Sequence, residues 1–529
     1  MQKMEFSFDE FAFGSRLIRD LVNQSEYVRP FVSDFYSADT ISNSIKQKSF
    51  SIDQRNLLVS VLYEQNNSIS LSEKSQANIN LLKEKNTFTI TTGHQLNLLT
   101  GPLFSIYKIA QIISICDGLK KSDSTNNYVP VFWMATEDHD FEEINHIHLF
   151  GKKIEWKNPQ QKDVVAGQMK LDQLASVLDE IESLYQNEEL KSKVKSITEI
   201  YRQSNNLADA TRNLINYLFG EFGVIIIDGN DKKLKEIFKP VFLKEVREEL
   251  TFNAVSETNF KLEKSGYHQQ VFVRNCNLFF IHEDGKRERI IKENDRFLFN
   301  NKSHSLEEIE QLIEANPSLF SPNALLRPVY QETVLPNLVY VGGGGEIAYW
   351  LQLKKIFENL KMFFPLLRVR DSLILLNQKQ VSELDELNLS VLDLQENTDA
   401  IIRRITLSRV GNDLDLIDAE AELMKVKSKV MEKVHLVDKN LSTMVEAEFS
   451  KMISTLEKIE AKLLKAEKNK DELSGNRIIK LQEKLLPEKH LHERYDSFLP
   501  YYLNSPNFIQ TVISSMEFES NPKVRLLIL

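Results

Sequence analysis

Three short stretches hold the residue types that can do chemistry. Gly93-His94-Gln95 follows directly on the β-branched run Thr87 to Thr92. An imidazole and backbone amides placed there can bind a phosphate or stabilise a transition-state oxyanion. Glu137-Asp138-His139-Asp140 closes a second apolar run, YVPVFWMA. Carboxylates at that edge can hold a substrate ammonium, orient an imidazole or bind a hard cation, and Asp138 or His139 can accept a proton. Glu142 and Glu143, just beyond, suit a helix N-terminus. The third stretch is Gly342, Gly343, Gly344 and Gly345 followed by Glu346. It fits neither GxGxxG nor the P-loop pattern. Four glycines still expose N–H groups and let a ligand approach the backbone.

Around these stand residues expected to bind. Lys108 lies in the helix-like segment after Gly101-Pro102. Arg327, Gln331 and Glu332 precede the glycines, and Arg368, Arg370 and Asp371 follow the next apolar run. Arginines near a sheet edge suit carboxylate or phosphate recognition. A salt-bridge lattice is the competing reading for Arg368 and Arg370. His146 and His148 share one face of a strand, but no fourth ligand accompanies them and His139, so no metal is predicted.

The elements that must position these residues follow from periodicity. Apolar runs at Thr87–Thr92, Tyr128–Ala135, Gly223–Asp228, Val339–Val341 and Pro365–Leu376 alternate with helical segments and end in polar turns. That is the pattern of an α/β, doubly wound parallel sheet. One helix is expected over Ile347 to Leu360. Residues 1–86 read as a helical cap. Residues 151–222 read as a helical insertion, and 267–291 as an antiparallel meander turning at Glu283-Asp284-Gly285. Beyond Gln378, apolar residues from Val430 through Leu441, Met452 and Leu456 to Ala466 step by three and four, a coiled-coil seam with a break near Glu448. A turn at Asn469–Gly475 and a return helix from Ile478 to Leu486 would complete a helical hairpin. Phe498, Tyr501, Tyr502 and Phe508 would dock the tail.

The bulk properties narrow the class. A chain of 529 residues needs more than one core. A net charge of −10 argues against general nucleic-acid binding while leaving room for a local basic patch. Cys116 and Cys276 form no CxxC pair, which suits reduced thiols. The N-terminus lacks a signal-peptide layout, and the most apolar window is interrupted by Gly101-Pro102 and Lys108, so a cytoplasmic protein without a membrane span is expected.

The segments TTGHQLNLLTGPLFSIYK, VPVFWMATEDHDFEEINH, RPVYQETVLPNLVYVGGGGEIAYW and PLLRVRDS, in this order, resemble the signatures of the bacillithiol-synthesis cysteine ligases, the BshC family. The resemblance implies a Rossmann-like core with two connecting-peptide insertions and a C-terminal antiparallel α-helical coiled-coil domain that makes a homodimer. The chain then divides into a cap (1–86), a core (87–378, insertions at about 151–222 and 251–321), a coiled-coil domain (379–495) and a tail (496–529). The implied reaction joins cysteine to the amine of glucosaminyl-malate. The core also resembles class I aminoacyl-tRNA synthetases and the mycothiol cysteine ligase, whose HIGH-type motif Gly93-His94 half matches; ATP is the cofactor that analogy implies. No KMSKS-type loop stands in a suitable context, and the mycothiol enzyme's zinc ligands have no counterpart. In this scheme His94 and the Gly342–Gly345 amides stabilise developing charge. Asp138 or His139 serves as base, Glu137 or Asp140 holds the cysteine ammonium, and Arg327 or Arg368 the malate. A coiled-coil scaffold, or a nucleotidyltransferase-like enzyme on another small acid, are the alternatives.

Overall fold

The structure is a computed structural model that describes residues 4–529 apart from 12, 159–161, 411–415, 471 and 520. Two compact units emerge, one of Glu5–Ile374 with Glu493–Leu527, the other chiefly of Leu375–His492.

In the first unit the strands that matter are β1 (Thr87–His94), β2 (Asn127–Met134), β3 (Ile225–Asp228), β4 (Leu278–Ile281), β5 (Arg287–Arg289), β6 (Phe320–Pro322), β7 (Asn337–Gly342) and β8 (Leu366–Val369). Five of them form one sheet in the order β8-β7-β1-β2-β3. Every neighbouring pair in it is parallel. The chain moves outward from β1 through β2 to β3, then returns to the other side of β1. That reversal creates a switch point between β1 and β7, where crevices open beyond the strand ends.

Local sequence explains β1. Phe88 and Ile90 point to one face, where they pack with Ile112, Ile115, Leu119, Val339 and Leu366. Thr89 and Thr91 point to the other face and are fully buried, yet both hydroxyls bond Asn337 Oδ1, at 3.2 and 2.8 Å. A buried polar face is tolerated because each group has a partner. Helix α1 (Phe104–Ser122) then packs back on β1 and β2. Between them, Leu99 and Thr100 hold positive φ of 47° and 64° ahead of Gly101. Such backbone is strained for non-glycine residues and persists only where the surroundings enforce it; here the Tyr201 hydroxyl accepts from Leu99 N–H at 2.8 Å.

Two expected elements divide. The helix expected over Ile347–Leu360 is α2 (Gly344–Trp350) followed by a separate helix, Lys354–Asn359. The apolar run Pro365–Leu376 is β8, a break at Arg370-Asp371, and a second strand, Ser372–Leu376, in another sheet. The break follows from charge, since Asp371 is fully buried and needs Arg368 and Arg525 beside it. The meander holds β4 and β5 as an antiparallel pair with β6 along β4. Its turn needs Gly285, at φ 82°, where a Cβ would stand 2.6 Å from Gln168 Oε1.

In the second unit the seam does not form one helix. Helix α3 (Ile417–Val437) stops at Asp438, whose backbone is extended and whose carboxylate accepts from Asn440 N–H. Helix α4 (Ser442–Lys470) then packs against α3, so the hairpin turns at Asp438–Leu441. An aspartate that can cap a new helix start outweighs the apolar periodicity there. Helix α4 runs unbroken through Glu448, as a stutter in the stepping of its apolar residues allows. Of the turn expected at Asn469–Gly475, residue 471 lies outside the described residues, while Asn469-Lys470 end one helix and residues 472–475 open the next, Glu472–Leu485. Val445 and Phe449 face inward, while Leu441, Met444, Met452, Ile459 and Leu463 remain 39–55% exposed.

Candidate active site

A cleft of about 880 Å³ opens at the carboxyl ends of the parallel strands. Gly93, His94 and Gln95 come from the end of β1, Met134 to His139 from the end of β2, and Gly343 to Glu346 from the end of β7. The switch point thus gathers the three stretches singled out above. Seven basic side chains (Lys108, Arg274, Arg287, Arg289, Arg327, Arg370 and Arg494) line it against three carboxylates, Glu137, Asp138 and Glu346. An acidic chain has concentrated positive charge in one cleft, which favours anionic ligands.

His94 packs edge-on against Phe104, with ring centroids 5.2 Å apart. Its Nε2 is buried and has no hydrogen-bond partner among the described residues. Burial, then the Lys108 and Arg370 charges, hold its basicity well below the usual imidazole range, so it is neutral at pH 7.

Lys108 anchors the floor. Its Nζ donates to Gly93 O at 2.7 Å and pairs with Glu346 Oε2 at 2.6 Å. The Tyr340 hydroxyl also donates to Glu346. Arg327 bonds Gln331 Oε1 and the Tyr349 hydroxyl, at 3.0 and 3.3 Å. Burial alone would raise Glu346, but Lys108 and Arg327 outweigh it and hold the carboxyl below its usual value.

Along β2, Gln95 donates to Asp138 Oδ2 at 2.6 Å and to Glu143 Oε2 at 2.7 Å, fixing the turn. His139 stands 3.3 Å from Arg287 and edge-on to Phe279. Burial and then the Arg287 charge pull His139 below its usual 6.5, with Asp138 opposing. Its neutral imidazole is therefore available as a base near neutrality. Glu137 lines the cleft but is paired with buried Lys235 at 2.7 Å.

The glycines take no left-handed backbone. Their requirement is space. A Cβ at Gly343 would meet nothing within 4 Å, and at Gly345 only Gln270 at 3.8 Å. Alanine at Gly345 is expected to leave the melting temperature unchanged or raised, because alanine favours a helix over glycine by roughly 0.5–1 kcal/mol. The KM for an anionic substrate should rise about tenfold, as for the loss of one charge-assisted contact. A wild-type KM would show that no ligand approaches that backbone.

Six of the residues expected at the site lie outside the cleft. Gly342 sits within β7. Asp140 is the exposed residue before a short helix. Gln331 and Glu332 are buried elsewhere, where Glu332 pairs with Lys48 at 3.6 Å and accepts from Asn337 at 2.8 Å. Arg368 donates to Glu517 O at 2.7 Å and covers the Tyr36 ring, with Asp371 beside it. Arg370 does reach the cleft, gripped in a two-pronged contact with buried Glu493 at 2.6 and 3.0 Å. His146 and His148 stand together, but His148 stacks on Tyr495 at 3.8 Å. Among the described residues no group of three candidate metal ligands lies together. Missed by sequence were Arg274, Arg287, Arg289 and Arg494; Arg287 and Arg289 had a signal in the period-two run KRER of the meander, and Arg274 and Arg494 had none.

A doubly wound sheet with a cationic cleft at its switch point defines a Rossmann-like α/β protein built to receive anionic ligands. The chain belongs to the BshC family of bacillithiol biosynthesis: the model of its N-terminal Rossmann-like domain matches residues 1–371, and that of its C-terminal coiled-coil domain residues 373–524. "Putative cysteine ligase BshC" of Flavobacterium johnsoniae is 40% identical over 506 residues, covering 94% of each chain. The protein of the same name in Christiangramia forsetii is 36% identical over 530 residues, covering 98% of each. A solved structure titled as a putative arginyl-tRNA synthetase from Campylobacter jejuni aligns at 11% identity with a TM-score of 0.21, over 89% of this chain and all of that one, too slight a likeness to bear on the argument. No described helix is long and apolar enough to cross a membrane.

Proposed function

We propose that this chain is a cytoplasmic, ATP-dependent ligase that joins the carboxylate of cysteine to the amine of glucosaminyl-malate, completing bacillithiol. The observation that carries the reading is the meeting of a neutral base, His139, with the unpartnered His94 Nε2 and a cationic lining in one cleft. An amide does not form unaided from a carboxylate and an ammonium in water. The open backbone of Gly343–Gly345 and the His94 Nε2 fit a phosphate-bearing group. ATP, when bound, supplies activation of the carboxylate.

The protein's own residues have separable tasks. Gly343–Gly345 and His94 hold the anionic end of the activating group. Asp138, fixed by Gln95, receives the cysteine ammonium, because Glu137 is already neutralised by Lys235 and Asp140 lies outside the cleft. His139 takes the proton from the attacking amine. Mass spectrometry of the protein with cysteine, glucosaminyl-malate and ATP tests the reading. Bacillithiol appearing with AMP indicates an adenylate, and with ADP an acyl phosphate; no product with any nucleotide would overturn it.

The helical unit supports a homodimer, since Met452 and Ile459 stand one heptad apart on the helix Ser442–Lys470, 48% and 44% exposed, on a face that a second copy would bury. Lysine at both positions is expected to shift sedimentation from dimer to monomer. An unchanged mass would place the interface elsewhere.

A further inference from the structure

The inserted meander brings to the cleft two arginines that the reaction scheme leaves unused. Arg274 and Arg289 are exposed at the cleft wall, and neither has a carboxylate in ion-pair range among the described residues. They stand close enough for the Arg274 charge to make Arg289 harder to protonate, after burial has the larger effect. Two like charges lining one cleft without a carboxylate partner cost free energy that a bound anion would recover.

The surroundings fix both residues. Arg289 lies directly across from Phe279 in the β4–β5 register. Arg287, two residues away on the same face, covers the Phe279 ring at 3.8 Å, and Arg289 stands 5.7 Å from it. Arg287 is tied down through Ser321 Oγ and Pro322 O, at 3.1 and 2.8 Å. The backbone of Arg274 is clamped by Asn277, which accepts from its N–H at 3.3 Å and donates to its carbonyl at 2.6 Å. Asn277 is buried and held by Glu245, at 2.9 and 3.0 Å. The supports are satisfied while the guanidinium heads have no carboxylate partner among the described residues, an arrangement that lowers the ordering cost of binding.

We propose that Arg274 and Arg289 form the subsite for a dicarboxylate, the malyl end of the acceptor, in place of the Arg327 or Arg368 suggested by sequence, which are engaged by Gln331 and Tyr349 and by Glu517 O. The assignment rests on the reaction proposed above. The phosphate-bearing group has its own place at Gly343–Gly345, which leaves this pair for carboxylates.

Isothermal titration of the full chain with malate, glucosaminyl-malate, glucosamine and ATP tests it. Arg274→Gln and Arg289→Gln are each expected to weaken malate and glucosaminyl-malate about tenfold, as for loss of a two-pronged charged contact. Glucosamine and ATP should bind as before. Lysine at either position, retaining charge without the fork, should lose less. Malate affinity unchanged in both glutamine variants, no malate binding by the wild type, or a loss confined to ATP would overturn the subsite. Arginine-dependent malate binding without product formation would sink the reaction and leave the subsite standing. Product formation with wild-type KM in both variants would do the reverse.

Discussion

Alanine at His94 is expected to lower turnover by about 10²–10³, the loss found when one donor to a developing charge is removed. The side chain ends the central strand at the switch point, and its buried Nε2 has no protein partner among the described residues. A buried polar atom left open toward a cleft costs free energy unless a ligand satisfies it. Because burial, Lys108 and Arg370 keep the ring neutral, it acts through a hydrogen bond rather than a charge. Turnover should therefore show no step near pH 6.5 from His94. The fold should survive, since the ring's packing is one edge-on contact with Phe104. Single-turnover rates and a thermal melt decide it. A melting temperature that collapses along with activity would make His94 a core residue instead.

The largest stability effect is expected from Glu346→Gln. It leaves Lys108, 5% exposed, without its counter-charge, and breaking a buried pair in this way costs about 3–5 kcal/mol. Glu346 keeps 18% exposure toward the cleft, which places the loss near the lower figure. Exchange of both partners, Lys108→Met with Glu346→Leu, should recover much of it, because no orphan charge remains. Wild-type stability carries the same signature in pH. The Glu346 carboxyl titrates below its usual 4.5 in the folded chain. Its contribution is thus complete above about pH 4.5 and is lost as the pH falls through the lower folded value. Urea melts of the three proteins at pH 7 test the pair. Equal stability of wild type and Glu346→Gln would mean that Lys108 gives up its proton without cost.

The sheet was readable because strands buried on both faces need uninterrupted β-branched or aromatic runs, and five such runs stand in the chain. Gly93-His94 and Gly342–Glu346 were readable as partners for the same reason: each lies just past a run, and parallel strands put all their ends on one edge. The seam at Val430–Ala466 was readable only as helix. Whether Asp438 continues that helix or caps a new one depends on packing that spacing does not encode.

Residues away from strand ends were a different matter. Arg368 and Arg370 differ by two positions and look alike in the chain. One lies against Tyr36 and the other is gripped by Glu493 at the cleft, because each goes to the partner that the tertiary fold brings near. Arg274 and Arg289 look like ordinary surface charges until the meander is folded against the strand ends. Thus the sequence by itself determined the order of strands and helices and the residue types at the strand ends, since both are set by burial and backbone geometry over a few residues. Only the tertiary structure decided which charges are neutralised by the protein and which are left for a ligand, because that depends on partners distant in the chain.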